Sequence, residues 1–137
     1  MTDSAVYRVD VRVIAPVRDT EVPERVADAV RNLFPEADVE FEDDRVVGRS
    51  RSLSRFSERL HEQAILDTAR EQLFEHQYGD AIHFDLKKLA AYQGVVNFSV
   101  GNPDELGDVR VRIRVEHPSV EEFVDLIVPP TEDGEPV

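Results

Sequence analysis

The chain has 137 residues, 41% of them hydrophobic, which suits one folded domain with a real core rather than a disordered segment. It carries 29 Asp and Glu against 16 Lys and Arg and no cysteine, so disulfides, thiolate metal sites and cysteine nucleophiles are excluded together. No apolar run approaches the ~20 residues that cross a bilayer, and Met1-Thr2-Asp3-Ser4 lacks the basic and apolar stretches of a secretory signal, so a cytoplasmic home is expected.

Residues 6–15 alternate, with Val9, Val11 and Val13 on one side and Arg8, Asp10 and Arg12 on the other, which predicts a half-buried strand ended by Pro16. Asp19-Thr20-Glu21 and Pro23 announce a helix carrying Val26, Ala29, Val30 and Leu33, and Pro35 stops it. Val39 and Phe41, the turn Asp43-Asp44, and Val46-Val47 predict a hairpin. Gly48-Arg49-Ser50-Arg51 reads as a polar loop, and Ser52 as the N-cap of one long helix over 53–76. Gly79-Asp80 ends that segment. Ile82 and Phe84 mark a strand, Lys87 to Ala91 one helical turn, and Val95, Val96 and Phe98 a short strand before the turn Gly101-Asn102-Pro103. The clearest strand is 108–116, where Val109, Val111, Ile113 and Val115 oppose Arg110, Arg112 and Arg114. Ser119 caps a last helix with Phe123 and Leu126, and Pro129-Pro130 lies beyond it.

The order β-α-β-β-α-β-β-β-α lacks regular crossovers. It therefore predicts an α+β domain over 1–130, a mainly antiparallel sheet with helices on one face, followed by an acidic, mobile tail over 131–137. One sheet face is valine-rich; the other carries arginines and acids.

The formal net charge is −13, and the basic side holds fourteen arginines but only two lysines. A carboxylate-rich, lysine-poor surface suits a protein working in molar salt, where the Debye length shrinks to about 3 Å. Such a balance excludes nucleic-acid binding by the whole surface, so any RNA site must be a local basic patch.

Gly48 to Ser52 leading into a helix is the best such patch. A helix N-terminus offers unpaired N–H groups and partial positive charge. On one helix, Arg51, Arg55 and Arg59 make a stripe about 12 Å long, and with Arg49 they cradle successive phosphates. The plainer reading pairs Arg55 with Glu58 and Arg59 with Glu62. Lys87 and Lys88, with Tyr92 nearby to stack on a base, form the second candidate; the plainer reading is a solvated turn. The ladder Arg110, Arg112, Arg114, joined by Arg8 and Arg12, is a weaker third, because exposed strands carry arginine for cross-strand pairing and Asp10 and Glu116 share the alternation.

No enzyme constellation stands out. His61, His76, His83 and His117 lack metal-ligand spacing. Pairs such as His61 with Asp67 or His83 with Asp85 arise by chance in a chain this acidic. Neither a phosphate-binding nor a dinucleotide-binding glycine motif occurs, nor a nucleophile elbow. A noncatalytic protein without cofactor or metal is expected.

Several runs resemble one archaeal family. They are Gly48-Arg49-Ser50-Arg51-Ser52-Leu53, Leu60-His61-Glu62-Gln63-Ala64-Ile65-Leu66-Asp67-Thr68-Ala69-Arg70, Leu86-Lys87-Lys88-Leu89-Ala90-Ala91, Gly94-Val95-Val96-Asn97-Phe98, and Pro129 to Val137. The chain is identified by this resemblance, which covers nearly its whole length, as a member of the uncharacterised archaeal protein family 201, here from a salt-loving archaeon. The resemblance implies an α+β fold similar to that of a class of large-subunit ribosomal proteins. It also implies RNA binding and an association with the exosome, and it suggests that Pro129 to Val137 docks on the domain or on a partner. The combined expectation is a noncatalytic RNA-binding protein of archaeal RNA processing or translation. Its phosphate contacts are Arg49, Arg51, Arg55, Arg59, Lys87 and Lys88. The alternative is an interaction module that docks on exosome or ribosomal proteins.

Overall fold

The computed structural model describes residues 7–101, 106–132 and 135–136. Strand β1 (Arg8–Pro16) alternates as predicted: Val9, Val11, Val13 and Ala15 are buried, and Arg8, Asp10, Arg12 and Ile14 face outward. Helix α1 (Pro23–Leu33) starts with Pro23 in the first turn, where a missing N–H costs nothing, and buries Val26, Ala27, Ala29, Val30 and Leu33. Strands β2 (Asp38–Glu42) and β3 (Arg45–Ser50) form the expected hairpin.

Strand β3 runs further than the sequence suggested. Gly48, Arg49 and Ser50 are not a loop; they pair with Val13, Arg12 and Val11 of β1. Gly48 is there for closeness, because an added Cβ would meet Val30 Cγ1 of α1 at 3.2 Å and Ala37 Cβ at 3.3 Å.

The long helix expected over 53–76 is two helices, α2 (Ser54–Glu62) and α3 (Leu66–Glu75). Between them Ala64 takes a left-handed backbone (φ 56°), its N–H bonds to the His61 carbonyl, and the Ile65 N–H bonds to the Leu60 carbonyl. That pair of bonds is a Schellman stop with alanine where glycine usually sits. Strand β4 (Gln77–Tyr78) turns tightly into β5 (Ala81–Lys87), and the short helix α4 (Lys88–Ala91) follows. The strand expected at 95–98 is reduced to one bridge, Phe98 to Leu86, and is held instead by Gln63, whose side chain bonds both the Val96 N–H and carbonyl at 2.8 and 2.9 Å.

Strand β6 (Asp108–His117) precedes α5 (Val120–Ile127), whose Ser119 Oγ accepts from the Glu122 N–H at 3.2 Å. The tail, expected to be mobile, pairs as a two-residue hairpin of β7 (Thr131–Glu132) and β8 (Glu135–Pro136). Thr131 Oγ1 donates to the Asp67 carboxylate, and Arg70 on α3 holds the Val128 carbonyl at 2.9 Å and Asp125 at 2.7 Å.

The architecture is α+β. Six antiparallel strands lie in the order β2-β3-β1-β6-β5-β4. The helices cover the valine face, building one core in which Phe56 stacks between Phe34 and Phe84. The opposite sheet face stays open to solvent.

Candidate nucleic-acid interface

The fold separates the arginines that the sequence had grouped. Arg49 is exposed on the outer face of β3. Arg51 is exposed but precedes the helix, so it does not extend the stripe of Arg55 and Arg59. Arg55 bonds Glu58 at 2.8 Å and reaches Glu62 at 3.7 Å, the plainer of its two predicted roles. Arg59 does not pair with Glu62; its guanidinium lies against Gly94, and its Nε is buried without a hydrogen-bond partner among the described residues.

Two backbone donors at the start of α2 are engaged within the fold. The Leu53 N–H donates to the buried Tyr7 hydroxyl at 3.2 Å, and the Ser54 N–H donates to Ser52 Oγ at 3.2 Å. Ser52 thus closes a local turn ahead of the helix rather than capping it from the expected position.

Lys87 is half-buried at the end of β5, opposite Asp108. Lys88 points inward and is fully buried. Its ammonium bonds Glu21 at 2.8 Å and donates to the Pro16 and Leu106 carbonyls, three acceptors for its three protons. Tyr92, expected to meet a base, gives its hydroxyl to Glu21 Oε2 at 2.7 Å instead. Burial pushes the Glu21 carboxyl up, but donation from Lys88 and Tyr92 outweighs this and holds it below the usual carboxylate range. Burial also lowers the Lys88 ammonium, while Glu21 opposes that shift. Sequence reasoning missed Glu21, because nothing local shows that a residue before α1 meets α4. In this arrangement Lys88 has no proton left for a phosphate.

What the fold assembles is the outer face of the three central strands. In register across them, Arg49 pairs with Arg12 and Arg12 with Arg112, and His83 of β5 continues the row. On this face β1 contributes Arg8 and Arg12, β3 contributes Arg45 and Arg49, and β6 contributes Arg110, Arg112 and Arg114. These seven arginines stand against three carboxylates on the same strands, Asp10, Asp108 and Glu116, so the charge balance of the chain is locally reversed.

Some of this charge is spent internally: Arg110 bonds Asp85 at 3.0 Å, Arg114 reaches Asp80 at 3.5 Å, and Arg45 holds Glu42 at 2.6 Å. The row itself is not. Among the described residues Arg49 and Arg12 have no carboxylate within salt-bridge reach, although Asp38 stands opposite Arg49, and Arg12 Nε is buried without a hydrogen-bond partner. Arg112 Nε meets only His83 Nε2, at 3.4 Å. Burial, then Arg112 and Arg110, lower the His83 imidazole, in the direction of the neutral ring that can accept at Nε2. Tyr78, exposed on β4, leans on His83 with ring centroids 5.3 Å apart. Like charges directly opposite in a sheet destabilise it, so an anion on this row relieves a repulsion already present.

Residues 9–116, from β1 to the end of β6, match the family model described as RNA binding. A UPF0201 protein of Thermococcus onnurineus is 41% identical over 137 residues, covering 93% of this chain and 97% of its own length. The chain belongs to the UPF0201 family. A UPF0200/UPF0201 protein of Archaeoglobus fulgidus is 36% identical over 94% of the chain, which spans only 40% of that longer relative. In structure, the chain is similar to the crystallised UPF0201 protein of Methanococcus jannaschii, with a TM-score of 0.86, 33% identity, and coverage of 93% of this chain and 98% of that one. The match to the RNA-binding family model spans every residue of the arginine row.

Proposed function

We propose that the chain is a noncatalytic RNA-binding protein of archaeal RNA processing or translation and that it holds RNA phosphates on the open sheet face. The observation that carries this reading is the unpaired cross-strand row Arg49, Arg12, Arg112 in a protein with a net charge of −13. Guanidinium groups bond phosphate oxygens in a planar fork, and among the described residues no carboxylate competes for this row. The family model described as RNA binding supports the same ligand. Arg51, exposed just beyond β3, extends the contact. Arg55, Arg59 and Lys87 serve as outlying contacts at most, and Lys88 supports the fold.

The alternative, docking on a ribosomal or exosome protein through the C-terminal segment, finds less support. Part of that segment is already engaged by Asp67 and Arg70 of its own domain.

The test is fluorescence anisotropy with labelled RNA in molar KCl, comparing Arg12→Glu/Arg112→Glu with Arg55→Glu. Each charge-assisted contact contributes about 1.5–3 kcal/mol, so the sheet pair should weaken binding by roughly 100-fold or more. Arg55→Glu should leave it within about threefold of wild type, since exposed, already paired charges contribute little. Loss of binding in Arg55→Glu alone would return the site to the helix.

A further inference from the structure

The phosphate row ends at an aromatic pair, and that pair narrows the kind of RNA. Tyr78 is 60% exposed, more than any phenylalanine or other tyrosine of the chain. Tyr78 stands opposite Ala81 in the β4–β5 pairing, and Ala81 stands opposite Arg114. Its ring leans diagonally to His83, which lies in the same register row as Arg112, Arg12 and Arg49. With strands about 4.8 Å apart, the row from His83 to Arg49 crosses about 14 Å of sheet. A flat surface therefore presents a stacking ring at one edge and unpaired guanidinium groups across its middle.

We infer that this sheet face takes single-stranded RNA, with a base stacked on Tyr78 beside His83 and the following phosphates laid across Arg112, Arg12 and Arg49. The inference rests on the RNA reading and adds the strandedness of the ligand and the residue that senses it. A duplex keeps its bases stacked on one another and offers their faces to no side chain; an unpaired base offers both faces. Sheets that stack two or three unpaired bases on exposed rings are an established way of holding single strands. Arginine planes add to that stacking. His83 takes a hydrogen bond from Arg112 at Nε2, 3.4 Å away, and its ring lies beside that of the tyrosine.

The experiment uses the full chain in molar KCl with a labelled unstructured oligonucleotide and the same sequence annealed into a duplex. The single strand should bind at least about tenfold tighter than the duplex. Tyr78→Ala should weaken the single strand by about 5- to 150-fold, the range for losing one base stack, and leave the duplex unchanged. Tyr78→Phe keeps the ring and should bind as wild type. Ultraviolet crosslinking should join the single strand to the peptide containing Tyr78. Equal or tighter duplex binding, or an unaltered Tyr78→Ala, overturns the inference while leaving phosphate binding by the arginines intact. If neither RNA binds, the RNA reading itself fails, and this inference fails with it.

Discussion

Replacing Lys88 with methionine tests whether this residue supports the fold or contacts RNA. The ammonium is fully buried, its partner carboxylate on Glu21 is 4% exposed, and the two sit 2.8 Å apart. Methionine fills much of the same space but leaves Glu21 charged and without its cation, which costs about 3–5 kcal/mol when one member of a buried pair is removed. The Pro16 and Leu106 carbonyls also lose their donor. A loss of about 4 kcal/mol is a large share of the 5–15 kcal/mol that holds a domain of this size together. Urea unfolding in constant molar KCl should show the midpoint falling with the slope unchanged. Lys88→Met/Glu21→Leu should recover more than half of the loss, because an apolar replacement for a whole buried pair is often neutral. A single-mutant loss below about 1 kcal/mol would refute this reasoning, since it would mean that the pair is effectively solvated. Wild-type stability combined with weakened RNA binding would make Lys88 a contact after all.

Ala64→Gly should raise stability by about 0.5–1 kcal/mol, because relief of the left-handed backbone (φ 56°) exceeds the added freedom of the unfolded chain; calorimetry checks the sign. Glu21 has a folded pKa below its ordinary value, so its contribution is present above about pH 4.5 and is lost as pH falls through the folded value. The stability gap between wild type and Glu21→Gln should therefore close on acidification, as urea titrations at successive pH values would show. His83 should titrate below the ordinary 6.5 by proton NMR, and Arg112→Ala should move it upward by removing one of the charges that lowers it. Gly48→Val should lower the melting temperature without affecting exposed Arg49, since the new side chain enters the contact between α1 and β3.

Much of the fold is legible in the chain because period-two valines state which face of a strand is buried. β1 and β6 follow that pattern residue for residue. The break between α2 and α3 is not legible, because helical periodicity continues through it and the residue in the left-handed position is alanine, not glycine. The hairpin from β4 to β5 did carry a signal, the two-residue turn Gly79-Asp80, which was read only as an ending. The arginines grouped in the sequence are separated in the fold for a deeper reason. Residues 49–59 are neighbours in sequence, but a strand ends and a helix begins between them, which sends Arg49 to one layer and Arg55 to the other. Arg49, Arg12 and Arg112 are 37 and 100 positions apart and meet only through strand register, which no local pattern specifies. Lys88 was misjudged because a lysine in a polar turn is normally solvated. Its burial follows from Glu21 arriving from a distant part of the chain.

The proposed arginine site in so acidic a chain also sets how RNA binding should depend on salt. At a net charge of −13 the protein repels RNA at long range, and at low ionic strength that repulsion opposes the arginines. In molar salt, screening within about 3 Å removes the repulsion and the long-range attraction alike. Counterion release, which drives basic proteins onto nucleic acid, also loses most of its force there. What remains are interactions at contact distance: guanidinium forks on phosphate oxygens and a ring on a base. On the proposed reading, the arginine row ending at an exposed tyrosine supplies both from neighbouring strands of one sheet. On that reading, an RNA strand is therefore held where guanidinium groups and the exposed ring lie together.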